Sequence, residues 1–234
     1  MPHRILSLQE AAELLHMPVH EMEQLVKKQL IPFERRAGRL VFRKADLENW
    51  ASQRILRGDA GELFRFHPTR PDIPGARQPM LRGLIRPEWV EPALPARTRP
   101  SVIREMVAVA VRTGWVHDPA ELIQTLEARE ELCPTAVPGG VAFLHPRVQQ
   151  PWRFERSFVT LGRAEHPIYF GAPDQEPTRL FFLLCCLDDA SHLRLLARLC
   201  LLAQRTAMIA ALMAAPDAPS MCEAIFAAEE QAIR

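Results

Sequence analysis

No two cysteines in this chain sit at C-x-x-C spacing, and the five present (Cys133, Cys185, Cys186, Cys200 and Cys222) are odd in number. A disulfide framework or cysteine-ligated metal site is therefore not expected, and their apolar surroundings read as the reduced core of a cytoplasmic protein. An excess of charge of either sign is also missing. A net charge of +1 over 234 residues gives no whole-chain attraction to nucleic acid or membrane. No apolar signal core follows the first basic residues, and the apolar run Leu180 to Leu187 is much too short to span a bilayer. There is no internal repeat. What remains is an ordinary globular balance, 48% hydrophobic and 24% charged, in a chain long enough for a small domain followed by a medium one.

Three units follow one another. In residues 1–58, Ser7 and Glu10 have the spacing of a capping box for a first helix carrying Ala11, Ala12, Leu14 and Leu15. Met17-Pro18 breaks it. A second helix, Val19 to Lys28, has Met22, Leu25 and Val26 at helical spacing. Leu30-Ile31-Pro32-Phe33 and Leu40-Val41-Phe42 flank Arg35-Arg36-Ala37-Gly38 and predict a hairpin with a basic tip. A third helix begins near Lys44. Residues 59–83, rich in proline and arginine, read as a semi-extended linker.

Residues 84–234 interleave strands with helices, the pattern of an α/β layered domain with a mixed sheet. Thr98 and Asp118-Pro119 are expected to open two helices. On the second, Arg129 shares a stripe with Leu122, Leu126 and Cys133, and an arginine there needs an anion or carbonyl partner or must snorkel. Gly139-Gly140-Val141-Ala142-Phe143-Leu144-His145 reads as a glycine turn, a buried strand and a histidine at its end. Such a histidine can face a cleft as a nucleophile or be a plain structural residue. Phe154 to Leu161 and Ile168 to Phe170 are expected as strands around a turn, and Leu180 to Leu187 as the central strand. A helix capped by Ser191 or Asp189 then carries His192 in its first turn, where amide groups and the helix dipole attract anions. Two short helices follow, the last introduced by Ser220 and Glu223.

The first segment resembles excisionase-like and MerR-like winged helix-turn-helix modules, through Leu8 to Leu15, Leu30-Ile31-Pro32 and Arg43 to Trp50. The resemblance implies DNA contact, for which Lys27, Lys28, Arg35, Arg36 and Arg39 are the candidate residues. Glu21 and Glu23 on the second helix would instead face phosphates. The second domain resembles the enzyme IIA domain of the bacterial phosphotransferase system, in its fructose/mannitol and nitrogen-regulatory branch. The residues are Ala128 to Leu132, Thr135, Gly139 to Ala142, His145 and Asp188 to Leu193. Leu144 stands where that family has proline, and proline follows at Pro146.

That resemblance implies an enzyme IIA-like mixed sheet flanked by helices. It also implies that His145 takes a phosphoryl group from the phosphocarrier protein called HPr, with Arg129 and His192 completing the pocket. Gly139, Gly140 and Ser191 are expected to line a phosphate-stabilising loop. No metal or other cofactor is required, since phosphoryl transfer of this kind rests on positioning and charge stabilisation. The expectation is a regulatory phosphorelay protein acting on DNA or on a target protein, with a homodimer as one arrangement and no membrane partner. A transcription factor with a non-phosphorylated sensor domain, or a degenerate interaction scaffold, stays open.

Overall fold

The computed structural model describes residues 4–15, 17–58 and 80–233. Most of the expected linker, 59–79, lies outside the described residues. In the first segment the Ser7 hydroxyl accepts from the Glu10 amide, and the Glu10 carboxylate accepts from the Ser7 amide at 2.8 Å. This reciprocal cap starts α1 (Leu8–Leu14), and α2 (Val19–Lys27) follows Pro18. The wing is β2 (Glu34–Arg36) and β3 (Arg39–Arg43), joined at Ala37-Gly38. Both turn residues have positive φ, which matches the twist of the flanking strands. The first wing strand thus starts at Glu34, later than expected. Ile31 is buried instead, and Pro32 has no amide for a ladder. A strand of three residues, β1 (Ile5–Ser7), adds to β3. Then α3 (Lys44–Arg57) turns Leu47, Ala51 and Ile55 inward.

The second segment starts earlier than residue 84. The amides of Met80 and Leu81 donate to the Glu229 carboxylate at 3.1 and 3.0 Å, so this stretch is packed rather than extended. β4 (Val90–Leu94) leads to α4 (Arg99–Val111), capped by Thr98, and α5 (Pro119–Leu132), capped by Asp118. β5 (Ala136–Val137), β6 (Val141–Leu144), β7 (Phe158–Ile168) and β8 (Thr178–Cys185) complete a five-stranded sheet of order β4-β7-β8-β6-β5. It is mixed: β6–β8 and β4–β7 are parallel, and β7–β8 and β5–β6 antiparallel. The two strands expected around a turn are one strand, β7. The polar stretch Glu165-His166-Pro167, between the two expected strands, is its exposed, irregular end.

β8 lies at the centre, buried on both faces. Leu180, Phe182 and Leu184 belong to one apolar cluster, with residues of α6 (Asp189–Arg205), α7 (Met208–Ala214) and α8 (Ala218–Ile233). Phe181, Leu183 and Cys185 belong to the other, with α4 and α5. The first cluster continues without a break into Leu47, Ala51 and Ile55 of α3, so the N-terminal segment rests on α6. Two caps differ from expectation. Asp188, not Ser191 or Asp189, caps α6, accepting from the Ser191 amide at 2.8 Å. Likewise α8 begins at Ala218, with Asp217 accepting from the Ser220 amide, and at 16 residues it is not short. All five cysteines are buried and unpaired, and burial pushes the Cys185, Cys186 and Cys200 thiols up. No single described helix is long and apolar enough to cross a membrane.

Candidate functional site

β6 and β8 run parallel side by side, so their carboxyl ends meet at one edge of the sheet. That edge is where open α/β sheets place ligands. His145 directly follows β6. Three residues separate the end of β8 from α6, which carries His192 in its first turn. The two rings stack obliquely, centroids 4.7 Å apart. Arg129 comes in from the last turn of α5, and its Nε donates to Nε2 of His145 at 3.2 Å. Its Nη1 donates to the Cys133 carbonyl at 2.8 Å, which answers the need for a carbonyl partner and fixes the head group.

The hydrogen bonds assign the tautomer. Nδ1 of His145 lies 2.8 Å from the Phe143 carbonyl, which can only accept. Nδ1 therefore carries the proton, and Nε2, facing Arg129, carries the lone pair. Neither Nη2 of Arg129 nor Nε2 of His192 has a hydrogen-bond partner among the described residues, although both atoms are buried. Buried polar atoms are ordinarily paired. Both belong to side chains that contact the His145 ring, and together they make a place suited to an anion.

Electrostatics keep both rings neutral. Burial, then the Arg129 charge and His192, hold the His145 imidazole well below its ordinary range. Burial first, with Arg129 adding to it against Asp189 and Asp188, brings His192 down to about 4. A neutral imidazole is the nucleophilic form. Burial also pushes the Glu130 carboxyl up, opposed by its hydrogen bonds from Thr135. Glu130 holds the turn into β5 by accepting from the Thr135 amide and hydroxyl at 3.0 and 2.7 Å.

The other expected site residues are placed elsewhere. Gly139 and Gly140 form the β5–β6 turn at the opposite end of β6 from His145, so they cannot stabilise a group on that histidine. Their positive φ values and the Asp174 carboxylate accepting from the Gly139 amide make them a structural turn. Ser191 is adjacent to His192, but its hydroxyl and amide are both spent on Asp188, at 2.7 and 2.8 Å. Lys27, Lys28, Arg35, Arg36 and Arg39 are all exposed on the N-terminal segment, with Arg36 paired to Glu34 at 2.9 Å. Glu23 on α2 is exposed as well.

Sequence reasoning missed several residues around the site. Lys44 at the start of α3 pairs with Asp189, three positions before His192, and lies 3.3 Å from Glu48. Both carboxyls are buried. Burial and then the Asp189 charge push Glu48 up to about 8. Asp46 reaches Arg147, two positions after His145, at 3.5 Å. Arg153 holds the loop after His145, donating to the Val148 carbonyl and pairing with Glu121, both at 3.0 Å. Apart from Lys44 and Glu48, four apart on α3, no local signal announces these ion pairs, because the partners lie far apart in the chain. Among the described residues no group of three histidines, cysteines or acids could hold a metal.

The chain is 31% identical over 143 residues to a nitrogen regulatory protein of Bradyrhizobium diazoefficiens, covering 60% of this chain and 91% of that one. The fold is similar to nitrogen regulatory protein IIA-Ntr from Neisseria meningitidis, with a TM-score of 0.56 and 21% identity over 61% of this chain and 97% of that one. It is also similar to enzyme IIA mannitol from Escherichia coli solved with phosphorylated enzyme IIB mannitol, with a TM-score of 0.53 and 20% identity over 60% and 96% of the two chains. Residues 5–55 match a helix-turn-helix domain. Residues 83–228, the segment that builds the sheet and both histidines, match "Phosphoenolpyruvate-dependent sugar phosphotransferase system, EIIA 2", and the chain belongs to that family.

Proposed function

We propose that the chain is a regulatory phosphorelay protein whose His145 accepts a phosphoryl group from an HPr-like phosphocarrier. The observation that carries this is the lone pair on His145 Nε2 together with an unpartnered buried nitrogen on each of the two side chains that contact the ring, Nη2 of Arg129 and Nε2 of His192. Nε2 gives up its hydrogen bond from Arg129 Nε and attacks phosphorus, a new N–P bond forms, and the P–N bond of the donor phosphohistidine breaks. The donor imidazole leaves with that electron pair. The proton stays on His145 Nδ1 throughout, donated in a hydrogen bond to the Phe143 carbonyl. Arg129 and His192 then hold the phosphoryl oxygens, the preorganised charge stabilisation that this chemistry depends on. The likeness to a nitrogen regulatory protein and the attached helix-turn-helix domain support a regulatory output. Exposed Lys27, Lys28, Arg35 and Arg39 are the residues that would touch a DNA backbone.

The test is phosphotransfer. The protein is incubated with phosphoenolpyruvate, the general first enzyme of the system and HPr, and the intact chain is weighed. One acid-labile phosphoryl group, absent in His145→Ala, is expected. No gain in a folded sample with a working donor would defeat the reading.

A further inference from the structure

We propose that α3 of the helix-turn-helix segment is a built-in cover over the His145–His192 pair, and that it must lift before a protein-sized phosphoryl donor reaches His145. The cover is argued from the contacts of α3 and from burial. Its consequence for phosphoryl transfer rests on His145 being the acceptor.

The first turn of α3 grips both flanks of the site. Lys44 pairs with Asp189 on the α6 side, and Asp46 with Arg147 on the β6 side. Behind this turn, Leu47, Ala51 and Ile55 belong to the same apolar cluster as Leu193, Leu196 and Cys200 of α6. Arg57 at the far end of α3 donates to the Cys133 sulfur at 3.0 Å. Under this lid His145 is 1% exposed and His192 3%. A nucleophile must come within about 3–3.5 Å of the reacting atom, which two buried rings cannot do with a phosphorus carried on another protein.

The contact is also charge-sensitive. Lys44, Asp189 and Glu48 form a cluster of one cation and two carboxyls, with Glu48 and Asp189 3% and 6% exposed. Asp189 and His192 are three residues apart on α6, neighbours on one helix face. A phosphoryl group held between His145 and His192 brings roughly two negative charges close to that cluster. It would weaken the seat of α3. By linkage, whatever favours the lifted helix favours the phosphorylated histidine to the same extent. The N-terminal segment and the phosphocarrier thus compete for one face of the domain.

The test uses the full chain as wild type, Lys44→Glu and Lys44→Met. Hydrogen exchange by mass spectrometry reports whether α3 and the first turn of α6 have separated. Carbethoxylation of the His145 peptide by diethyl pyrocarbonate reports whether the ring can be reached, with no phosphoryl donor involved. Both variants should exchange faster in α3, with β7 and β8 unchanged, and His145 should be modified at least tenfold faster than in wild type. Unchanged exchange in α3 overturns the proposal. So does faster exchange with unchanged His145 modification, because the second domain's own loops would then bury the ring. If His145 becomes reachable and HPr still transfers nothing to it, the cover stands and the acceptor reading fails.

Discussion

Nε of Arg129 and Nε2 of His145 meet at 3.2 Å, with the arginine as donor. The contact orients the ring while leaving Nη2 of the same guanidinium unpartnered beside it. Arg129→Met should slow phosphoryl transfer to His145 by about 100-fold, the usual effect of removing one stabilising donor. It should also cost about 1–3 kcal/mol of stability, because the buried Cys133 carbonyl loses its donor. Time courses of intact mass and urea unfolding read the two effects. An unaltered transfer rate would remove Arg129 from the mechanism.

The two histidines predict a pH dependence. Their imidazoles are held below the ordinary value near 6.5, His192 at about 4. The unfolded chain therefore takes up protons first as pH falls. The stability contributed by the neutral pair is complete above pH 6.5 and is lost as pH falls toward 4. Long-range nitrogen–proton NMR at pH 6 should show His145 neutral with the proton on Nδ1. A charged His145 ring at that pH would contradict this.

Glu48 has the opposite sign. Its carboxyl is raised from 4.5 to about 8, so its contribution is complete below pH 4.5 and is lost as pH rises through about 8. Lys44 is raised from 10.5 by Asp189 and Glu48, against burial, and stays charged across that window. Glu48→Gln should therefore be more stable than wild type at pH 8.5, by on the order of 2 kcal/mol. The gap should close at pH 5. Unfolding curves at the two pH values check this, and equal gaps would show that Glu48 does not titrate there.

Glu229 is fully buried and takes the Met80 and Leu81 amides as well as Arg198, the last at 3.0 Å. Glu229→Ala should destabilise the chain by about 3–5 kcal/mol. Glu229→Gln, which keeps an acceptor, should cost less. Thermal unfolding ranks them, and a loss below 1 kcal/mol in the alanine variant would show that the site tolerates the deletion.

If the wing touches DNA, Arg35→Ala with Arg39→Ala should reduce the salt slope of duplex binding by about 2, one for each lost phosphate contact. Fluorescence anisotropy against salt measures it. An unchanged slope would exclude the wing from the interface.

The starts of α1, α4 and α5 were legible because Ser7, Thr98 and Asp118 act within three residues of themselves. The His145, His192 and Arg129 set came from a family pattern, and the strand-end position of His145 was readable from its apolar run and proline. Gly139 and Gly140 were misassigned because sequence proximity hides direction: a strand rises roughly 3.3 Å per residue, so β6 carries the turn away from the histidine. The single strand β7 looked like two because its exposed end is polar. The α3 contacts could not be read at all, since Lys44 and Asp189 are 145 positions apart and neither is unusual in its own helix.

The bond from Glu229 to Met80 and Leu81 has a bearing on synthesis. One carboxylate ties the first described residues of the second domain to α8, so the Met80 and Leu81 amides wait, unsatisfied, until α8 has been made. The first segment meets no such delay in its local structure, since the Ser7 cap of α1 and the pairing of β1, β2 and β3 lie within it. It can be finished while its future seat on α6 does not yet exist. For that interval the helix-turn-helix segment is without the neighbour that later covers one of its faces.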